Sequence, residues 1–311
     1  MKSLKKLLSV TLSVALVGVV FSGCSSTPKP TPSTSNTTTK VNKKIGLVLS
    51  TLDNPFFVSI QRGATKKAKE LGYELVVANS ANDSTKERSN VDDLVQQGIG
   101  ILVINPVDSA AVGNSIGVAN GKKIPVITVD RSAKMGTVIC HIASDNIAGG
   151  KLAANFILAQ LGGKGNIVEL QGIPGASATN DRGKGFHSGI DGKAGIKVVV
   201  SQAADFDRQK GLTVMENIIQ STPSFNAVFS HNDEMALGAV KALKAANKKV
   251  VVVGFDGSDD AKKAIASGDM AATVAQQPEL MGEMAIDNAA KALKGETLPK
   301  SIPVDLTLIK K

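Results

Sequence analysis

Tryptophan is absent from this 311-residue chain and tyrosine occurs once, so aromatic side chains make up only 3% of it. A cluster of phenylalanines at a polar turn is therefore informative. Cysteine is nearly absent too, with Cys24 and Cys140 the only two. Two cysteines cannot build a disulfide framework, but a chain of this length can stand on its hydrophobic cores. Cys140 is expected to be a small buried hydrophobe. Histidine occurs at 141, 187 and 231 only, and no Cys or His pair has metal-ligand spacing. There is no Gly-x-Ser-x-Gly elbow and no P-loop, so hydrolase and nucleotide chemistry have no motif to rest on. Cys140-His141 falls on a strand, which sends the two side chains to opposite faces and rules out a local dyad. His231 reads as a turn residue, and Gly183-Lys184-Gly185 as a glycine signal with no strand before it. Nothing here points to an enzyme.

Acidic residues are missing from the first 44 positions, which hold seven lysines. Taking those seven from the net charge of +9 leaves +2 for residues 45–311. The basic excess is thus confined to one end, and the body of the chain has no charge pattern for nucleic acid. Lys2, Lys5 and Lys6 precede the apolar run Leu7–Phe21, a positive n-region followed by an h-region too short to span a membrane. Residues 1–23 therefore read as a signal peptide. The run ends in Phe21-Ser22-Gly23-Cys24, which resembles the lipobox of bacterial lipoproteins, with Phe21 in place of the usual Leu. The resemblance implies that Cys24 is lipidated, so that no disulfide can form within the chain. Residues 24–43, rich in Ser, Thr, Pro and Asn, read as a tether with little to bury.

From Lys44 onward short apolar strands alternate with helical patterns. Strands are expected at Ile45–Leu49, Glu74–Ala78, Ile101–Ile104, Pro125–Val129, Asn166–Leu170, Lys197–Ser201, Ala227–Phe229, Val250–Val253 and Ala271–Val274. Helices are expected at Phe57–Leu71, Lys86–Gln97, Ser109–Asn120, Ile147–Leu161, Ala176–Ile190, Arg208–Gln220, Glu234–Ala246, Asp260–Ala266 and Glu279–Leu293. The strands are β-branched runs without clean alternation, as in parallel sheets buried on both faces. About nine βα repeats divide between two sheets. The fold class is α/β, with two doubly wound parallel-sheet lobes.

One stretch stands out. Ser50-Thr51-Leu52-Asp53-Asn54-Pro55-Phe56-Phe57 leaves the first strand and opens the first helix, with Pro55 at its entrance. Such turns border the crevice where open α/β sheets bind ligands. Phenylalanine offers a flat apolar wall and Asn54 a donor and acceptors, a combination suited to a sugar. The competing reading makes Phe56 and Phe57 core residues of that helix. Polar residues follow nearly every other strand as well: Asn105, Asp130-Arg131, Asn232-Asp233, Asp256 and Gln276. Some of these are turn-formers and caps, a role assigned to Asp108, Asp145 and Asp233. Asp130-Arg131 fits that role less well, because arginine does not cap.

From Lys44 to Ile309 the chain resembles the bacterial D-ribose-binding proteins, substrate-binding components of ABC sugar importers with the type I periplasmic-binding-protein fold. The resemblance is carried by residues 50–57, Ile104-Asn105-Pro106, Val129-Asp130-Arg131, His141-Ile142-Ala143-Ser144-Asp145-Asn146 and Ala204-Asp205-Phe206-Asp207-Arg208. It continues in Asn232-Asp233-Glu234-Met235-Ala236-Leu237-Gly238-Ala239, Gly254-Phe255-Asp256-Gly257 and Ala275-Gln276. It implies ribose contacts at Asn54, Phe56, Phe57, Asn105, Asp130, Arg131, Arg182, Phe206, Asn232, Asp256 and Gln276. The three phenylalanines would sandwich the ring, the two aspartates accept from hydroxyls and the two arginines donate. The four amides would complete the network. Two carboxylates and two guanidiniums cancel, which suits a neutral ligand.

The resemblance also implies three hinge strands, near Ser144-Asp145, Gln276-Gln277 and Asp305-Leu306. The N-terminal lobe would comprise 44–144 plus 277–305, and the C-terminal lobe 145–276 plus 306–311. The implied partners are D-ribose and an ABC transporter permease with its cytoplasmic ATPase. A chemoreceptor is left open as a second reader of the closed form. The protein would act as a monomer outside the cytoplasm, held to the cell membrane only by its lipid, with no cofactor, metal or nucleic acid. The alternatives are a related sugar (allose, another pentose or hexose, or a furanose signal molecule) or a sugar-responsive regulator domain. The regulator needs an N-terminal helix-turn-helix, where this chain has its leader and tether. Glucose/galactose binders of this fold stack the sugar on tryptophan and carry a calcium loop, and neither feature is found here.

Overall fold

The structure, a computed structural model, describes residues 42–222 and 224–311. The expected signal peptide, Cys24 and the tether up to residue 41 lie outside them. Asn42 is already bonded to the body, donating from Nδ2 to Gly98 O at 2.9 Å and accepting from Lys44 N at 3.0 Å. Among the described residues no helix is long and apolar enough to cross a membrane.

In chain order the first elements are β1 (Lys44–Leu49), α1 (Pro55–Leu71), β2 (Glu74–Asn79), α2 (Ser84–Gln96), β3 (Ile101–Ile104), α3 (Val112–Gly121), β4 (Val126–Val129) and β5 (Cys140–Ala143). Then come α4 (Asn146–Gln160), β6 (Gly165–Gln171), α5 (Ser177–Ile190), β7 (Ile196–Ala203), α6 (Arg208–Ser221), β8 (Ala227–Ser230), α7 (Asp233–Ala245), β9 (Val251–Asp256), α8 (Asp259–Ser267) and β10 (Ala272–Ala275). The chain ends with α9 (Pro278–Leu293), β11 (Ser301–Pro303) and β12 (Thr307–Lys310).

Two six-stranded sheets result, ordered β11-β5-β4-β3-β1-β2 and β12-β10-β9-β8-β6-β7. Every pairing is parallel except that of β10 with β12, which is antiparallel. Each sheet is covered on both faces, which is why β3, β4, β8 and β10 are buried throughout and carry no alternation to read. In β1, Ile45, Leu47 and Leu49 face α1 and α9, while Val48 faces the opposite cluster under α2 and α3. The second sheet is divided likewise, with Phe229 and Phe255 in the cluster against α4 and α5 and Val228 and Val252 in the one under α6 and α7. Cys140 is fully buried in the first of these cores.

All nine expected helices are present, with shifted ends. The expected strands did not include β11 and β12, and touched β5 only in placing Cys140-His141 on a strand. The first two are edge strands of three and four residues, too short for a periodic signal.

The chain passes between the sheets three times, after β5, after β10 and between β11 and β12. Two hydrogen bonds tie these crossings together: Val304 N donates to Ala143 O at 3.0 Å and Gln277 Nε2 to Asp305 O at 3.2 Å.

Three helix pairs approach at reciprocal glycines. On α1 and α9, a Cβ at Gly63 would overlap the Glu279 carbonyl, and one at Gly282 the Ile60 carbonyl. Gly150 and Gly185 do the same for α4 and α5, facing the carbonyls of Arg182 and Ile147, and Gly211 and Gly238 for α6 and α7. Gly183-Lys184-Gly185 is thus part of a helix contact inside α5 and needs no preceding strand.

Candidate functional site

Asn54 ends the turn after β1 and caps α1, accepting from Phe56 N at 2.9 Å. With Pro55 at the first helical position, this cap fixes the direction of the next two side chains. Phe56 and Phe57 are buried in the first core and meet edge to face, with centroids 5.3 Å apart. They also line a small cavity between the sheets. The core of the helix therefore also forms the cavity wall.

Nine of the eleven candidate residues border this cavity: Asn54, Phe56, Phe57, Asp130, Arg131, Arg182, Phe206, Asn232 and Asp256. The other two stand directly behind. Asn105 donates from Nδ2 to Asp130 Oδ2 at 3.0 Å, and Gln276 from Nε2 to Asp256 Oδ1 at 2.9 Å. Asn105 is fully used by the protein, since its other contacts are to Val129 O and Ser50 N. Asn232 likewise caps α7 through Met235 N and donates to Phe206 O. The structure thus places these two amides as supports of the cavity wall.

The arginines are held by backbone and rings. Arg131 Nη1 donates to Pro106 O at 3.1 Å, and its guanidinium carbon lies 5.2 Å from the centroids of both Phe57 and Phe206. One cation is thereby shared by rings from the two lobes. Arg182 donates from Nε to Asn146 Oδ1 at 2.8 Å and from Nη1 to the His231 carbonyl and, at 3.4 Å, to Asp256 Oδ1. Its guanidinium lies 3.8 Å from the Phe255 ring. Burial pulls both arginines below their ordinary pKa and pushes Asp256 well above the usual carboxylate range, against the pull of Arg182. Charged hydrogen bonds weigh more in a site this buried.

Two features bear on what the cavity takes. Arg131 Nε and Gln276 Oε1 are buried with no hydrogen-bond partner, one a donor and the other an acceptor. Hydroxyl groups satisfy both kinds. Asp130, Phe206 and Asp256 also adopt positive φ (63°, 60° and 120°), strain that collects at ligand clamps.

No motif marks Ala178, which also borders the cavity, or Glu169, which is buried behind it. Asn146 closes the segment His141–Asn146, and its hold on Arg182 is visible only in the fold. Asp145 caps α4 as expected, and Asp108 accepts from Ala110 and Ala111. Asp233 differs: Asn232 is the cap, and the buried Asp233 carboxylate accepts from Ser258 N and the Thr273 hydroxyl at 2.7 Å each. Among the described residues no cluster of His, Cys, Asp and Glu could hold a metal ion.

The family described as periplasmic binding protein domain matches residues 45–297. The ribose import binding protein of Haemophilus influenzae is 52% identical over 306 residues, covering 98% of this chain and 99% of that one. The ribose import binding protein of Bacillus subtilis is 47% identical over 305 residues, with the same coverage. The solved myo-inositol binding protein of Caulobacter, bound to myo-inositol, superposes with a TM-score of 0.83 at 31% identity, covering 86% of this chain and 93% of that one.

Proposed function

Because this chain belongs to the periplasmic binding protein family, we propose that it is an extracytoplasmic solute-binding protein that closes two lobes on D-ribose. It would release the sugar to the permease of an ABC importer and catalyse nothing itself. The observation that carries this reading is the convergence on one small cavity of three phenylalanines, two aspartates and two arginines drawn from both lobes. The relatives named for ribose import favour ribose as the ligand. In this reading Phe56, Phe57 and Phe206 sandwich the ring. Asp130 and Asp256 accept from its hydroxyls, Arg131 and Arg182 donate, and Asn54 and Gln276 complete the shell. Asn105 and Asn232 hold that shell in place.

The lobes in this reading comprise 44–144 plus 277–305 and 145–276 plus 306–311, and the three crossings are the hinge. The ligand can meet all its partners only when the lobes are together, so its differential affinity favours the closed form. The permease would read that form. Cys24 would carry the lipid that keeps the protein at the outer face of the membrane, where two acyl chains suffice for stable anchoring.

Calorimetry with a panel of pentoses and hexoses tests the ligand. Ribose should bind most tightly. A hexose that binds better than ribose would replace this reading with that of a related sugar binder.

A further inference from the structure

His231 lies between β8 and α7, one residue before Asn232, and is fully buried. Its Nε2 stands 3.0 Å from Oε1 of Glu169, which is itself fully buried on β6. An ionised carboxylate only accepts, so Nε2 carries the proton and Nδ1 is left as an acceptor. Nδ1 faces the backbone N–H of Gly172 at 3.5 Å, a long hydrogen bond. Gly172 is the floor on which the Phe206 ring lies, since a Cβ there would overlap that ring. On its other side His231 accepts from Arg182 Nη1 through its carbonyl oxygen. One residue thus supports two side chains of the second lobe that border the cavity.

The Glu169 carboxylate connects this arrangement to solvent. Its Oε2 accepts from Gln171 Nε2 at 3.0 Å and lies 3.3 Å from Nε2 of the partly exposed His187. His187 Nδ1 is in turn 3.0 Å from the carboxylate of the exposed Asp191. Carboxylates and imidazoles therefore alternate from the surface to the cavity wall.

We propose that the Glu169–His231 pair positions Arg182 and Phe206, and that sugar affinity falls when His231 takes up a second proton. This rests on reading the cavity as a sugar site. A proton on Nδ1 would point at the Gly172 N–H, setting donor against donor, and the strand end beneath Phe206 would have to move. The charged groups facing the ring are Glu169 from β6 and Arg182 and His187 from α5. Burial, Arg182 and His187 disfavour the imidazolium and Glu169 favours it, and the balance lies below the ordinary histidine pKa. The loss therefore belongs to acidic pH.

Calorimetric titration of the full chain with D-ribose at pH 7.5, 6 and 5 tests this. Wild-type affinity should fall at least ten-fold from pH 7.5 to 5. His231→Ala should bind more weakly at every pH. His231→Gln, whose amide can donate to Glu169 and does not titrate, should regain part of that loss with a nearly flat profile. Asp256, whose carboxyl burial also raises, is the same in all three proteins, so the difference between wild type and His231→Gln is what counts. Identical profiles for those two would overturn the proposal, as would wild-type affinity in His231→Ala at every pH. A wild-type chain that binds no ribose at any pH would instead overturn the reading of the cavity.

Discussion

The Ser132 backbone N–H donates to Ser177 Oγ at 2.9 Å, across the gap between the two lobes. Two further bonds flank it: Ser177 N to Ser109 Oγ at 3.1 Å and Ser109 N to Gly175 O at 3.2 Å. All three can exist only with the lobes together, so they weight the closed form whatever occupies the cavity. Ser177→Ala removes one acceptor, and a neutral hydrogen bond contributes about 0.5–1.5 kcal/mol. Ribose affinity should fall by roughly two- to ten-fold, and small-angle scattering of the free protein should show a larger mean radius. An unchanged radius together with unchanged affinity would remove this clasp from the account.

Arg182 joins Asn146, the His231 carbonyl and Asp256. Arg182→Ala should weaken ribose binding by roughly 1.5–3 kcal/mol, the range for hydrogen bonds to charged groups. That is on the order of ten- to a hundred-fold in calorimetry. A loss under two-fold would take Arg182 out of the binding shell.

Glu87 is fully buried with Oε2 accepting from Val107 N at 2.7 Å and Oε1 without a partner. Burial pushes its carboxyl up to about 7. The fold therefore favours the protonated form, while the unfolded chain gives up its proton near the ordinary value. Stability falls as pH rises from about 4.5 to 7, and the deficit persists above that. Glu87→Gln keeps an acceptor for Val107 N and cannot ionise, so it should stabilise by about 1–3 kcal/mol at pH 8 and by little at pH 4.5. Thermal unfolding at the two pH values checks this, and equal shifts at both would contradict it.

Selectivity should follow from packing. Phe56, Phe57 and Phe206 leave little room around the cavity, and a well-packed wall expands only at a cost of about 1–3 kcal/mol. Glucose should compete with ribose at least ten-fold less well in an equilibrium displacement assay. Equal competition would mean that the rings do not set the size limit.

Cys24→Ala should release the protein into the soluble fraction or leave the precursor uncleaved. Matched fractionation of wild type and variant, with no fatty-acid label in either, would remove the lipid anchor.

Much of this was legible in the chain because the strands carry their polar residues immediately after them. Asp130-Arg131 and Asp256 could be placed at strand ends, and hence at one crevice, from pattern alone. Arg182 could not. It sits inside α5, where periodicity marks a buried face but not what that face meets, and only the family resemblance singled it out. Asp233 was misread because Asn and Asp side by side both look like caps, and only the backbone decides that Asn232 is the residue outside the helix. The hinge left no compositional trace, since Gln276-Gln277 and Asp305-Leu306 read as ordinary turns. Neither β11 nor β12 has enough residues to show a period.

The threefold crossing also sets an order of assembly. A chain emerging from its amino end presents β1 to β5 early, but that sheet then lacks its edge strand β11, and its α1 face lacks α9. Both arrive only after nearly all of the second sheet has been made. Meanwhile Ile60, Ala64 and the side of β3 to β5 that α9 will cover have no permanent cover, and β5 presents an unpaired edge. Closing contacts this distant along the chain is slow. Pulse-labelled hydrogen exchange during refolding should therefore protect α1 together with α9 and late, although α1 is the first helix to form in sequence. A chain that stays open this long is one that an export channel can still thread.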